Sequence, residues 1–159
     1  MNRTVAIAPV RKSLVVGADV ATAFEVFTAR IDSWWPKSHG IGTAPLVESI
    51  IEPFVGGRWR TRHQDGSECS PGHVLVWEPN RRVVFSWEVT AQWKPAQSSL
   101  SEIEVRFIEE GPERTRVEVE HRDFDRMGPA DGAKMRNDVD NGWPGLLALY
   151  SQAVAGKHD

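Results

Sequence analysis

The chain has 159 residues, of which 40% are hydrophobic and 26% charged, and its net charge is −3. That composition fits a single globular domain, residues 1–159, with a core of its own, and excludes a disordered chain. The near balance of charge weighs against nucleic-acid binding, which favours a basic stripe, and against a polybasic membrane anchor.

Ile7–Val16 reads as a strand with Pro9 near its start, where proline is tolerated. Asp19 can cap a short helix whose apolar stripe is Val20, Ala23, Phe24 and Phe27. Ile31, Trp34 and Trp35 read as a second helical turn stopped by Pro36, and Lys37–Pro45 as a loop. Strand-like pieces follow, separated by turn signals: Leu46–Glu52, Arg58–His63, Glu68–Trp77, Arg82–Val89, Ser101–Ile108 and Thr115–Arg122. Asp65-Gly66 marks a hairpin, Pro71 and Gly72 an irregular start, and Thr90–Leu100 a polar loop. In the last two strands Ile103, Val105, Phe107, Val117, Val119 and His121 alternate with charged residues, so one face is covered and the other wet. The cover is a helix over Asp131–Ala155, with Met135, Val139, Trp143, Leu146, Leu147, Tyr150 and Val154 at helical spacing. Pro144 predicts a kink or restart near Asp140–Trp143. Strands segregated from helices predict an α+β fold.

Met1–Val10 lacks the apolar run of a signal peptide, and no stretch of about 18 apolar residues occurs. A soluble cytoplasmic protein with no membrane partner is expected. Cys69 is the only cysteine, so no internal disulfide and no cysteine metal framework is available. The five histidines, His39, His63, His73, His121 and His158, show no metal-ligand spacing. No phosphate-binding glycine loop and no nucleophile elbow is present, so no cofactor and no catalytic residue is assigned. Glu102, Glu104, Glu118 and Glu120 fall on the wet face with Arg106, Arg116 and Arg122, as surface cross-strand pairs rather than a catalytic carboxylate pair. Arg58, Arg60 and Arg62 likewise read as a solvated face, not a nucleic-acid patch.

A set of short motifs recurs in order: Ala23-Phe24-Glu25-Val26-Phe27-Thr28, Trp34-Trp35-Pro36 with His39, Glu52-Pro53, Gly56-Gly57-Arg58-Trp59 and Gly72-His73-Val74-Leu75-Val76-Trp77-Glu78-Pro79. Further on come Ser101-Glu102-Ile103-Glu104-Val105-Arg106-Phe107, Thr115-Arg116-Val117, Glu120-His121-Arg122 and Gly142-Trp143 with Leu146-Leu147. Over nearly the whole chain this set resembles the SRPBCC (START-like, birch-pollen-allergen-like) superfamily. It is most similar to the branch named for the C-terminal domain of the heat-shock-protein-90 ATPase activator. The resemblance implies a helix-grip fold: a curved seven-stranded antiparallel sheet around a long C-terminal helix, two short helices after the first strand, and a cavity between sheet and helix. It implies no particular reaction, so the function has to come from the site.

Tryptophan is over-represented, with seven against one tyrosine and six phenylalanines. Such rings either fill a core or line a pocket that is apolar with a few polar groups. The expected wall is Trp59, Phe85, Trp87, Phe107, Trp143 and Leu147, with polar contacts from Thr61, His63 and His121 and an entrance near Trp35 and His39. Trp93 is either exposed or a lid, and Trp77 is assigned to neither face. The primary expectation is a binding protein for a small apolar or aromatic molecule. The alternatives are a co-chaperone-like module with a chaperone partner, and a cyclase- or hydrolase-type enzyme using His121 or His39. A homodimer is the commonest assembly for such a chain.

Overall fold

Alternation along the chain becomes one antiparallel seven-stranded sheet in the computed structural model, which describes residues 7–156. The strands are β1 (Val10–Val16), β2 (Leu46–Ile51), β3 (Arg58–His63), β4 (Glu68–Glu78), β5 (Arg82–Trp87), β6 (Ser101–Gly111) and β7 (Arg114–Arg122). Helix α1 (Val20–Phe27) and a 3-10 turn (Ile31–Ser33) follow β1, and helix α2 (Pro129–Gly156) ends the fold. The sheet order is β1-β7-β6-β5-β4-β3-β2. The curled sheet grips α2, so the helix-grip α+β architecture is present. His158 lies outside the described residues.

The edges explain the placement of the helices. β1 and β2 are consecutive in the chain yet occupy opposite edges of the sheet. The connection between them has to cross the half-barrel, and α1 and the 3-10 turn lie in that crossing. Asp19 caps α1 by accepting from the Thr22 N–H at 2.8 Å, and the buried stripe of α1 is Ala23, Phe24, Val26 and Phe27. Gly66 supplies the positive φ of the β3–β4 turn. Gly72 is required by close approach: a Cβ there would lie 2.0 Å from the Ser86 carbonyl oxygen.

Several boundaries differ from expectation. β1 starts at Val10 because Pro9 has no N–H and the Ile7 N–H donates to Asp125 at 3.0 Å instead. β5 ends at Trp87, since the Glu88 N–H turns to the Pro71 carbonyl and Val89 bridges to Pro95. A 3-10 turn at Phe124–Met127, entered through Asp123 in the left-handed region (φ 68°), precedes α2 and has no periodic signal. The expected restart at Pro144 is absent: α2 runs unbroken over 28 residues. Its buried Val139, Trp143, Leu146 and Leu147 hold it in place on either side of the missing donor, and tertiary packing overrides the local preference.

One end of the interior is solid. Phe24 meets Phe107 at 5.2 Å, Phe27 meets Trp34 at 5.1 Å, and Tyr150 touches Phe27 at 5.2 Å and Trp34 at 5.4 Å. The Tyr150 hydroxyl donates to the Ala23 carbonyl at 2.7 Å, pinning α2 to α1, and burial raises its pKa. Trp34 belongs to this core, with its indole N–H donated to the Val26 carbonyl at 2.9 Å. Trp77 is half-buried and meets Phe24 edge-on at 5.0 Å.

The outer face carries one surprise. Glu104 is not a solvated surface acid: it is 5% exposed and lies among Arg82, Arg106 and Arg122. Burial opposes its ionisation, but the three guanidinium groups win and hold its pKa down to about 2. The Arg58–Arg60–Arg62 row is paired with Glu52, Glu68 and Glu48.

Candidate functional site

The other end of the interior is hollow. A cavity of about 290 Å³ lies between the sheet and α2. The sheet side is Thr61 of β3, Pro71 of β4, Trp87 of β5, Ile103 of β6 and His121 of β7. The helix side is Asp138, Val139, Gly142, Trp143 and Leu146, one stripe of α2. Trp35, Ser38, His39, Gly40 and Ile41 close one end, and Trp93 closes another.

His121 sits at the junction of sheet and helix. Its Nδ1 accepts the Trp143 indole N–H at 3.3 Å, so the proton resides on Nε2, which donates to the Ser101 hydroxyl at 3.0 Å. The ring also stacks on Phe124 at 5.0 Å and meets Trp87 edge-on at 5.8 Å. Complete burial penalises the imidazolium and pushes its pKa down to about 3. A ring this weakly basic, with both nitrogens engaged, is a poor proton acceptor near neutral pH. His39 differs: it is exposed, partial burial lowers its pKa, and its Nδ1 lies 3.1 Å from the Ser38 hydroxyl.

Trp93 forms the strap between the β5–β6 loop and α2. It holds a left-handed backbone (φ 60°), and its indole N–H donates to Asp138 at 3.0 Å. Lys134 bonds the same carboxylate at 2.9 Å and the Ala91 carbonyl at 2.5 Å. The Lys134 bond is the first cause of the lowered Asp138 pKa. Trp93 is thus tied down, 38% exposed, and both of the sequence readings contain part of its position.

The structure brings Trp35, His39, Thr61, Trp87, His121 and Trp143 together around this space. It places Trp59, His63, Phe85, Phe107 and Leu147 elsewhere. Trp59 is sealed under Trp35 (4.9 Å), Trp87 (5.6 Å) and Phe85 (5.3 Å). Phe107 belongs to the solid end. Leu147 is buried but does not line the cavity, where Leu146 stands in the wall. His63 is covered by the 37–45 loop: a Cβ on Gly42 would lie 2.9 Å from its Cε1. Its Nδ1 donates to the Ala44 carbonyl at 2.9 Å and its Nε2 meets the Thr61 hydroxyl at 3.0 Å, so it anchors the loop. Ser38, Gly40 and Ile41 of the loop, and Pro71 at the irregular start of β4, carry no periodic signal, and Asp138 is an i+4 partner of Lys134. Among the described residues no cluster of His, Cys, Asp and Glu could hold a metal, and no helix is long and apolar enough to cross a membrane.

No curated protein matches the chain. Solved structures do. An anthrahydroquino-γ-pyrone synthase is 37% identical, with 93% of this chain and 97% of that one covered at a TM-score of 0.65. The self-sacrificing resistance protein CalC from Micromonospora echinospora is 31% identical over 94% of this chain and 95% of its own, with a TM-score of 0.68. A protein from Mesorhizobium loti shares the fold at 17% identity, with a TM-score of 0.68 over 96% of this chain and 99% of that one. The family described as Activator of Hsp90 ATPase homolog 1-like protein matches residues 18–153. With that span and those relatives, the chain belongs to this family, within the SRPBCC superfamily.

Proposed function

We propose that the protein binds a small, largely apolar aromatic molecule in the cavity between the sheet and α2. The observation that carries this reading is the pocket itself, concave and mostly apolar with a few polar groups, the form small-molecule sites take. Here about 290 Å³ stays open inside a wall of tryptophans. That is near the lower end of small-molecule sites, about the room for two or three fused rings. The similarity to a synthase of an aromatic product supports the same ligand class.

The test uses N-phenyl-1-naphthylamine, a neutral apolar fluorophore. Its emission is expected to rise on binding, and the melting temperature to rise with probe concentration. Gly142→Leu, which puts a side chain into open space in the wall, is expected to abolish both effects while the protein stays folded. No emission change and no thermal shift with the unaltered protein overturns the reading.

Catalysis on the bound ring system is a second reading, favoured by the 37% identity to a synthase. The imidazole free to exchange protons at the cavity is His39 rather than His121. His39→Gln would then stop turnover while leaving probe affinity unchanged, and unchanged turnover removes it from the mechanism.

A further inference from the structure

Most polar side chains of the cavity lining are already paired. The Thr61 hydroxyl lies 3.0 Å from His63 Nε2, and the Ser38 hydroxyl 3.1 Å from His39 Nδ1. Both nitrogens of His121 are engaged, by Trp143 and Ser101. The Trp87 indole N–H has no partner among the described residues, but its nitrogen is sealed from solvent, as that of Trp59 is. Asp138 keeps an open atom. Its bonds to Trp93 and Lys134 both fall on Oδ2, at 3.0 and 2.9 Å. Oδ1 takes part in neither, and the side chain stays 31% exposed. Trp93 and Asp138 both line the cavity, so the carboxylate stands at the rim beside that ring.

Charge decides what that oxygen can take. The Lys134 bond is the first cause of the lowered Asp138 pKa, so the carboxylate is ionised at neutral pH. It therefore accepts and does not donate, and a hydrogen bond to an ionised acceptor is about twice as strong as a neutral one. Lys134 already balances the charge, so a ligand ammonium would meet that lysine as well as the acid and gain little. The lining contains no lysine or arginine. A ligand carboxylate or phosphate would be buried without a counter-charge and beside a like one. What remains is a neutral donor, of which a hydroxyl group makes the shortest bond to a carboxylate.

Building on the cavity as a binding site, we infer that it selects neutral aromatic compounds bearing a hydroxyl group, which donates to Asp138 Oδ1 at the rim. The two oxygens then divide the work: Oδ2 holds the Trp93 strap, and Oδ1 reads the ligand. The hydroxyl-bearing end of the ligand lies toward Trp93, and the tryptophan rings supply area.

The experiment is displacement of bound N-phenyl-1-naphthylamine at neutral pH by compounds built on one ring system. These are 1-naphthol (a donor), 1-methylnaphthalene (the same shape without one), 1-methoxynaphthalene (the oxygen without its hydrogen) and 1-naphthoate (a charge). The naphthol is expected to compete about tenfold better than the methyl and methoxy compounds, and the naphthoate worst of all. In Asp138→Ala the naphthol advantage is expected to vanish. In Lys134→Met, which cuts the other tie of the strap and leaves Oδ1 in place, it is expected to persist. Comparing competitors within each protein removes any change in affinity for the fluorophore. The unaltered protein decides the matter even if a variant does not fold. Naphthol equalled by the methyl or methoxy compound, an advantage that survives Asp138→Ala or is lost in Lys134→Met, or naphthoate matching naphthol overturns the inference and leaves the cavity reading in place. Failure of the fluorophore itself to bind overturns both.

Discussion

The two ends of the interior use the same kind of residue for opposite ends. At the solid end Phe24, Phe27, Trp34, Phe107 and Tyr150 meet edge to face or tilted, and the indole and hydroxyl donors are spent on backbone carbonyls of α1. At the hollow end Trp35, Trp87, Trp93 and Trp143 surround space, and the buried Trp87 indole N–H has no partner among the described residues. A high tryptophan content therefore says little by itself; what matters is whether the rings' polar edges are already satisfied.

This contrast can be broken by mutation. Phe27→Ala at the solid end is expected to destabilise by about 3–5 kcal/mol in urea unfolding, because closely packed neighbours collapse only partly into the gap. Leu146→Ala at the hollow end is expected to cost nearer 2 kcal/mol, since that side chain already borders empty space and loses fewer contacts. Equal losses at the two positions would erase the distinction.

Acid sharpens it next. The folded-state pKa of His121 is about 3 against an ordinary 6.5. The unfolded chain takes up a proton below about pH 6.5 that the folded chain refuses. Stability is thus full above that pH and falls by about 1.4 kcal/mol per unit as pH drops toward 3. Glu104, held at about 2 against an ordinary 4.5, adds a loss only below that ordinary value. His39 is also lowered and acts in the upper window, so the measurement is unfolding between pH 7 and 5 in His39→Gln. The slope is expected to persist there and to vanish in His121→Gln.

The smallest effect is a gain. Gly142 lies inside α2 and a Cβ there meets nothing within 4 Å. Gly142→Ala is expected to stabilise by about 0.5–1 kcal/mol by thermal unfolding. Probe binding should survive, unlike in Gly142→Leu.

Much of this architecture was legible in the sequence. Strand-like runs between turn signals, with period-2 alternation in the clearest of them, located all seven strands, and helical spacing found α1 and α2. Parity, however, assigns a face and not a depth. Trp59, Phe85 and Trp87 stand on the expected side of the sheet, yet only Trp87 reaches the cavity, because the curl of the sheet and the stacking of Trp35 decide which ring is covered. His63 is inward by parity too, but the glycines of the 37–45 loop lie over it. Leu146 and Leu147 are neighbours on one broad apolar stripe, and the rotation of α2 chooses between them. Ends that depend on single long-range bonds, such as Ile7 to Asp125, have no local signature.

The sheet order also sets when the cavity can exist. Strands β2 to β6 each pair with the next in sequence, so they can zip up as hairpins while the chain is being made. β1 cannot: Val10 lies opposite His121 of β7, and the Tyr150–Ala23 bond ties α1 to α2. Pairings between such distant parts of a chain slow folding. The N-terminal strand waits for β7, and the hollow closes only when α2 is laid across the sheet. A ligand therefore finds no site on a nascent chain. It acts on the finished protein alone, where occupancy pulls the equilibrium toward the folded state by mass action.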